Sequence, residues 1–215
     1  MEKIKAVLFD MDGVLLDTES VCKITWQRAA QEYGIKNIEE IFIKCVGCNR
    51  HDTELILKDC FPQNVNPTEF RNRTSELFYV VEAEQGLALK PFVVECLTKL
   101  KNEGYRIALA SSTRAENVHR QLKAAGIFDF FETLTTGDMV EHSKPAPDIY
   151  LKAAASLNLP PENCVAIEDS PNGVRAAVAA GIKCIMVPDL IQPDEEMKAK
   201  SWKIFSNLGE VLLDA

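Results

Sequence analysis

The apolar residues of this chain fall into short continuous runs that are separated by longer segments with helical spacing. Five runs contain four or five apolar or mixed residues each, at 5–9, 106–110, 131–135, 164–167 and 183–187. A shorter run at 204–205 is a candidate for an edge strand. Continuous apolar character, as opposed to strict alternation, is typical of strands that are covered on both faces. The runs therefore predict a buried, parallel sheet.

The segments between most of these runs each predict one amphipathic helix. Val93, Leu97 and Leu100 mark one apolar face, and Gly104 follows as a stop signal. Single helices between parallel strands form right-handed crossover units. The pattern predicts an α/β protein with a doubly wound parallel sheet of Rossmann-like type.

One segment interrupts this alternation, because residues 17–85 show helical patterns and no convincing strand. Its first helical face ends at Gly34, and Asn66-Pro67-Thr68-Glu69 has the composition of a capped helix start. The first face is formed by Cys22, Trp26, Ala29, Ala30 and Tyr33. The sequence thus predicts a core made of residues 1–16 and 86–215, with a helical cap inserted at 17–85.

Charge and composition narrow the function classes. The chain has 24 basic and 32 acidic residues, a net charge of −8. This charge argues against a nucleic-acid partner, because phosphate backbones are bound by clustered Lys and Arg. The longest apolar run, 176–182, is too short for a membrane span, and residues 1–5 do not resemble a secretory signal. Seven cysteines are interpreted as reduced thiols of a cytoplasmic enzyme. Cys45 and Cys48 resemble half a zinc site, but no second half follows at the usual spacing.

Two acids follow the first predicted strand. Asp10 and Asp12 lie where open α/β sheets bind their ligands. Two carboxylates so close together repel each other and need a cation or a proton between them, and Mg²⁺ is a hard cation that accepts few carboxylates and leaves room for phosphate oxygens. The alternative is structural, with Asp10 capping the next helix and Asp12 in a turn.

Further polar groups follow other strands. Ser111 ends the second run, Lys144 precedes a proline, and Glu168 and Asp169 end the 164–167 run. Taken singly, these are also explained as helix caps or a solvated loop lysine. Taken together with Asp10, they supply a nucleophile, a general acid, phosphate ligands and a metal ligand, which is a complete set for phosphoryl transfer through an aspartyl phosphate.

Four motifs in order make the chain resemble a known family. They are residues 10–13 (DMDG), 109–112 (LASS), 143–147 (SKPAP) and 167–173 (IEDSPNG). The sequence is similar to the haloacid dehalogenase superfamily, within it to the β-phosphoglucomutase and sugar-phosphatase branch that carries a helical cap.

The resemblance implies a role for each of these positions. Asp10 would be the nucleophile, and Asp12 the general acid/base that also binds metal through its backbone carbonyl. Ser111 and Lys144 would bind the transferring phosphoryl group. Asp169 would ligate Mg²⁺, with Glu168 beside it in the metal's hydrogen-bonded shell.

The resemblance also implies that the cap carries specificity. Arg50 ends a Gly-x-x-Arg element, 47–50, that would contact the distal part of a phosphosugar, and a solvated arginine is the alternative. Thr18 and Trp26 would lie near the substrate, although Trp26 is equally well explained as cap core. Ser112 is a further candidate for substrate binding.

Two positions differ from the mutases of this branch, and both bear on the type of reaction. Mutases of this branch carry a His in the first cap helix, where Cys22 aligns, and a Lys in the last cap helix, whereas residues 71–89 contain no Lys. The prediction is therefore a Mg²⁺-dependent phosphatase of small phosphorylated metabolites, foremost sugar phosphates, acting as a monomer without a nucleic-acid or membrane partner. A β-phosphoglucomutase-type enzyme is the alternative, and a phosphoacceptor signalling domain is less favoured because such modules need no cap.

Overall fold

The computed structural model describes residues 3–46 and 50–213, without the side chains of residues 50–52. The chain forms two compact units. One comprises residues 1–16 and 88–215, and the other comprises residues 17–87. We call the first the core and the second the cap.

The core contains a parallel sheet, as predicted. Within the described residues the strand order is β3-β2-β1-β4-β5-β6, and each neighbouring pair is parallel. The strands are β1 (Ala6–Phe9), β2 (Arg106–Ala110), β3 (Thr133–Thr135), β4 (Cys164–Glu168), β5 (Lys183–Met186) and β6 (Lys203–Ile204). The predicted third strand starts two residues too early, because residues Phe128–Phe130 form a turn of 3₁₀ helix before it.

Helices lie between the strands of the core, whereas the described residues of the cap contain helices and no strand. Their bounds are α1 (Thr18–Tyr33), α2 (Ile38–Cys45), α3 (Arg50–Cys60), α4 (Pro67–Gln85), α5 (Val93–Asn102), α6 (Ala115–Ala124), α7 (Asp148–Ser156), α8 (Pro171–Ala179) and α9 (Glu195–Lys200). In the core, α7 and α8 bury Ile149, Tyr150 and Val174 against Leu8 and Ala166 of the sheet. None of the helices in the described part of the chain combines the length and apolar character needed to cross a membrane.

The cap has its own apolar interior. Phe70 on α4 is fully buried, and the rings of Trp26, Tyr33 and Phe61 lie edge-on to it with centroids 5.5, 5.8 and 4.9 Å away. Edge-to-face contacts of this kind stabilise beyond the area that they bury. The predicted start of α4 is confirmed, since Asn66 accepts hydrogen bonds from the amides of the helix's first turn.

Candidate active site

The candidate site lies at the carboxyl ends of three adjacent strands. Asp10 directly follows β1, Ser111 follows β2, and Glu168 is the last residue of β4. Because β1 lies between β2 and β4 in the parallel sheet, their ends meet at one edge. Lys144 reaches the same place from the loop between β3 and α7.

Lys144 is the centre of this group. Its Nζ atom donates to Asp10 Oδ1 at 2.6 Å, to Glu168 Oε1 at 2.6 Å and to the carbonyl oxygen of Ala110 at 3.1 Å. Its side chain is only 9% exposed, so the alternative of a solvated loop lysine is wrong. Three acceptors match the three donors of an ammonium group, which fixes the position of the charge.

The buried charges of the site do not balance. Burial raises the pKa of Asp10 to about 8, the Glu168 and Asp12 carboxylates add to this, and Lys144 opposes it. Burial alone would lower the pKa of Lys144, but the carboxylates of Asp10 and Glu168 outweigh it and hold that pKa above its usual value. One ammonium therefore faces an excess of carboxylates, and a further cation would relieve the repulsion.

Three acids are placed to hold such a cation. Asp10, Glu168 and Asp169 each offer a carboxylate oxygen, and these atoms lie within 4.8 Å of one another. An all-oxygen donor set that includes carboxylates suits Mg²⁺. The residues present therefore fit the metal that the sequence predicts.

The Asp12 side chain is held by hydroxyl groups. Thr113 Oγ1 donates to Asp12 Oδ2 at 2.9 Å, and Ser111 Oγ approaches the same oxygen at 3.4 Å. The Thr113 amide donates to Ser111 Oγ at 3.0 Å. The predicted general acid and the predicted phosphate ligand are thus parts of one hydrogen-bonded cluster.

Capping does not explain these acids and hydroxyls, because other residues cap the helices. The expected turn after Asp12 is present, at residues 13–15. Asp17 caps α1 and Ser170 caps α8, each through its side chain. The Ala115 amide at the start of α6 donates to Asp138 Oδ1 at 3.0 Å. Asp10, Ser111 and the 168–169 acid pair are therefore not needed as caps.

Two glycines of the motifs make room for the acids. A Cβ atom on Gly13 would lie 2.2 Å from Asp169 Oδ2, and Gly13 also has a φ of +76°, a backbone conformation that favours glycine. A Cβ atom on Gly173 would lie 1.9 Å from Glu168 Cδ. Both positions exclude any side chain unless an acid of the site moves.

Sequence reasoning missed two hydroxyl groups that contact the site. Thr113 follows the predicted site residue Ser111 by two positions, and its hydroxyl donates to Asp12. Tyr150 has the spacing of an apolar helical face with Ala153 and Leu157, yet its hydroxyl donates to Glu168 Oε1 at 2.6 Å. The available signal was a tyrosine on a buried face, because a buried phenol needs a hydrogen-bond partner.

The contacts and burial of the other predicted substrate-binding residues do not assign them a role in the site. Trp26 packs edge-on against Phe42, with centroids 5.2 Å apart, and against Phe70, which favours the alternative of a cap-core residue. Thr18 is buried at the start of α1. Ser112, in the core, is exposed.

The predicted Gly-x-x-Arg element lies mostly outside the described residues. Residues 47–49, among them Cys48 of the Cys45 and Cys48 pair, are not described, and Arg50 is described only as the first residue of α3. The role of the Arg50 side chain therefore stays a prediction.

The family model that matches this chain is that of the haloacid dehalogenase-like hydrolases, over residues 7–187. The chain is 35% identical over 182 residues to the phosphorylated carbohydrates phosphatase of Thermotoga maritima, covering 85% of this chain and 84% of the relative. It is 32% identical over 190 residues to the β-phosphoglucomutase of Bacillus subtilis, covering 86% and 83%.

A solved structure agrees with these sequence matches. The crystal structure of CbbY from Rhodobacter sphaeroides in complex with phosphate is 31% identical, has a TM-score of 0.76 and covers 96% of both chains. The predictions of an α/β fold and of an enzyme of this type are confirmed. The motifs, the sheet and the relatives agree, and the chain belongs to the haloacid dehalogenase-like hydrolase family.

Proposed function

We propose that this enzyme is a Mg²⁺-dependent phosphatase of small phosphorylated metabolites, with sugar phosphates as the leading class of substrate. The observation that carries the proposal is the Lys144 ammonium, which is held between Asp10 and Glu168 beside a third acid, Asp169. An anionic nucleophile can approach an anionic phosphate ester only where fixed cations offset the repulsion. This site provides one such cation and the ligands for another.

The reaction proceeds in two steps. In the first, a carboxylate oxygen of Asp10 attacks phosphorus, the bond from phosphorus to the ester oxygen breaks, and Asp12 gives the leaving oxygen a proton. In the second, Asp12 takes a proton from water as the water oxygen attacks phosphorus. The bond from phosphorus to the Asp10 oxygen breaks, and inorganic phosphate is released. Asp10 is then restored as a carboxylate.

The other residues bind charge and fix orientation. Lys144 would turn one of its donors to the transferring phosphoryl oxygens, and the Ser111 hydroxyl would donate to another. Asp10, the Asp12 backbone carbonyl and Asp169 would hold Mg²⁺, with Glu168 beside them. The metal would neutralise the charge that builds up on the phosphoryl oxygens.

The cap supplies the specificity in this proposal. Arg50 would contact the part of the substrate that does not react, since its guanidinium group binds oxyanions in a bidentate manner. Thr18, Trp26 and Ser112 stay candidates for substrate contacts. An Arg50→Ala variant should raise KM for a phosphosugar with a second polar end more than KM for a generic aryl phosphate.

A mutase is the second candidate function, and it is favoured by the relative named β-phosphoglucomutase. A mutase must keep water from the aspartyl phosphate until a sugar hydroxyl arrives, which requires polar cap groups that sense the sugar. Cys22 is a poor replacement for a His in this role, and residues 71–89 lack a Lys. We therefore favour hydrolysis without a bisphosphate activator.

The test is a phosphate-release screen over a panel of phosphorylated metabolites with Mg²⁺ and with EDTA. Conversion of β-glucose 1-phosphate to glucose 6-phosphate is followed alongside. Free phosphate that depends on Mg²⁺ is the expected result. Quantitative conversion to glucose 6-phosphate with negligible free phosphate would instead support the mutase, and activity that survives chelation would rule out the metal site.

We also propose that the enzyme acts as a monomer in the cytoplasm. The support is that Cys60, Cys96, Cys164 and Cys184 are free thiols, the last three of them buried, as expected of a protein kept under reducing conditions. Light scattering on the purified chain tests the oligomeric state directly, and a dimer mass would contradict this part of the proposal.

A further inference from the structure

Tyr150 is a buried polar residue to which the proposed reaction gives no role. It lies in the first turn of α7, shortly after Lys144, and is fully buried in the apolar cluster between α7, α8 and the sheet. Its ring serves that packing, and a phenylalanine ring would serve it equally well. Packing alone therefore does not explain the hydroxyl group.

The hydroxyl group of Tyr150 contacts the centre of the candidate site. It donates to Glu168 Oε1 at 2.6 Å, and the same oxygen accepts from Lys144 Nζ at 2.6 Å. The Lys144 ammonium also lies 5.2 Å from the centroid of the Tyr150 ring, within the range of a cation–π contact. Tyr150 thus contacts both members of the Lys144–Glu168 ion pair.

Glu168 depends on these contacts because it is fully buried. Its other oxygen, Oε2, accepts from Ser170 Oγ at the longer distance of 3.3 Å. Gly173 leaves no spare space beside the carboxylate. A buried carboxylate that loses a donor must find another or remain under-satisfied, and the charged donor to the same oxygen, Oε1, is Lys144.

This competition bears on Asp10. The Lys144 ammonium is shared between Glu168 and Asp10, at 2.6 Å from each. Without the Tyr150 hydroxyl, Glu168 would draw Lys144 toward itself and weaken its hold on Asp10. The phenol therefore balances how one ammonium is divided between two carboxylates.

We propose that Tyr150 is a positioning residue for the reaction, which acts through Glu168 to keep Lys144 available to Asp10 and to the transferring phosphoryl group. The same hydrogen bond holds Glu168 among the acids that would surround the metal. The claim that Tyr150 keeps Lys144 available for the reaction rests on the proposed function. The claim that Tyr150 holds Glu168 for metal binding rests on the acid cluster alone.

The test is the Tyr150→Phe variant, which removes one oxygen atom and keeps the ring. Mg²⁺ binding is measured without substrate, from the rise in melting temperature during a Mg²⁺ titration, and kcat and KM are measured with a generic aryl phosphate. Residues that orient metal ligands typically contribute about 10- to 100-fold to metal affinity or activity. We expect a change of at least about tenfold in half-saturating Mg²⁺ or in kcat, with KM changed less than about twofold. Tyr33→Phe, whose ring packs on Phe70 in the cap, is the matched control and should leave all three values unchanged.

Two results would overturn the inference. A lower melting temperature with unchanged half-saturating Mg²⁺ and unchanged kcat would make Tyr150 a packing residue only. A raised KM with unchanged kcat and Mg²⁺ binding would place its hydroxyl on the substrate. If the wild-type chain hydrolyses no phosphate ester, the proposed function fails, whereas the substrate-free Mg²⁺ titration still tests the metal-binding part of the inference, which an unchanged half-saturating Mg²⁺ would then overturn.

Discussion

The strand ends of the core and the surface of the cap hold charge in opposite ways. At the strand ends of the core, Asp10, Lys144 and Glu168 are buried and hydrogen-bonded to one another. In the cap, the Arg73–Glu32 ion pair lies at the surface, with side chains 36% and 42% exposed. The buried groups of the cap interior are mainly apolar and aromatic side chains around Phe70.

This difference indicates that the buried charges of the core serve the reaction, whereas the residues of the cap serve stability or specificity. Buried charges are costly to keep and are retained where they act on a ligand, because removing one partner leaves the other uncompensated. Exposed ion pairs contribute little, since water screens them. We therefore expect core substitutions to change activity more than stability, and cap substitutions to change stability or specificity while sparing the chemical step.

The largest expected effect is that of Asp10→Asn. The variant keeps the size of the side chain but loses the nucleophile, so turnover of an aryl phosphate should fall at least about 1,000-fold. Phosphate release measures the loss, and circular dichroism checks the fold. Glu32→Gln in the cap is the control and should retain wild-type turnover; an Asp10→Asn enzyme within tenfold of wild type would contradict the role of the core.

Phe70→Ala tests the expectation that substitutions in the cap interior change stability. Removing a fully buried aromatic ring typically costs about 3–5 kcal/mol, so the cap should unfold at a lower urea concentration. The chain has two tryptophans, Trp26 in the cap and Trp202 in the core, and a Trp202→Phe background makes the fluorescence of Trp26 report on the cap alone. An unchanged urea midpoint of Trp26 fluorescence would show that this aromatic cluster does not stabilise the cap.

A pair of glycines sharpens the comparison. Gly173→Ala places a Cβ atom against Glu168 and should lower kcat by about 10- to 100-fold, the usual effect of disturbing groups that orient a metal site. Gly34→Ala in the cap meets open space but has a φ of +65°, so it should cost about 1 kcal/mol in stability with unchanged kcat. Equal kcat values in the two variants would remove the distinction that we draw.

The pH dependence of metal binding should reflect Asp10. Burial raises the pKa of Asp10 to about 8, and a metal binds the deprotonated carboxylate. Between pH 6 and pH 8 a proton must leave when Mg²⁺ binds, so the apparent affinity should rise up to about tenfold per pH unit and level off above pH 8. Calorimetric titrations from pH 6 to pH 9 measure this slope. Asp10→Asn should flatten it, and a flat profile in the wild-type protein would contradict a buried, protonated Asp10.

The smallest expected effect is that of Arg73→Gln on the cap surface. The variant removes an exposed ion pair and should lower the free energy of unfolding by less than about 1 kcal/mol, with kcat unchanged. Urea unfolding measures the difference. A loss of activity would show that the surface of the cap contributes to the chemical step.

The sequence predicted the site of the core better than that of the cap, for a physical reason. The carboxyl ends of parallel strands share one edge, so Asp10, Ser111 and Glu168 were expected to meet once the strands were recognised. The sequence could not show that Lys144 is buried, because the same residue in a proline-rich loop is usually solvated. Its burial follows from acceptors on β2 and β4 that are distant in sequence.

Side-chain direction was harder to predict than strand position. Tyr150 satisfied the apolar pattern of its helix, and only the tertiary packing brings its hydroxyl to Glu168. In the cap, helical spacing placed Trp26 correctly on an inward face. Spacing cannot distinguish a ring that packs against Phe70 from one that contacts a substrate, because both lie on the same face.

The central claim is that Asp10 carries the phosphoryl group between the two steps. Wild-type enzyme is mixed with Mg²⁺ and a rapidly hydrolysed phosphate ester, quenched with acid within one turnover, and treated with borohydride, which reduces an aspartyl phosphate to homoserine. Peptide mass spectrometry then locates the modified residue. The account predicts homoserine at position 10, and its absence when substrate is omitted or Asp10 is replaced by Asn. Modification at another residue, or hydrolysis without any trapped intermediate, would contradict it.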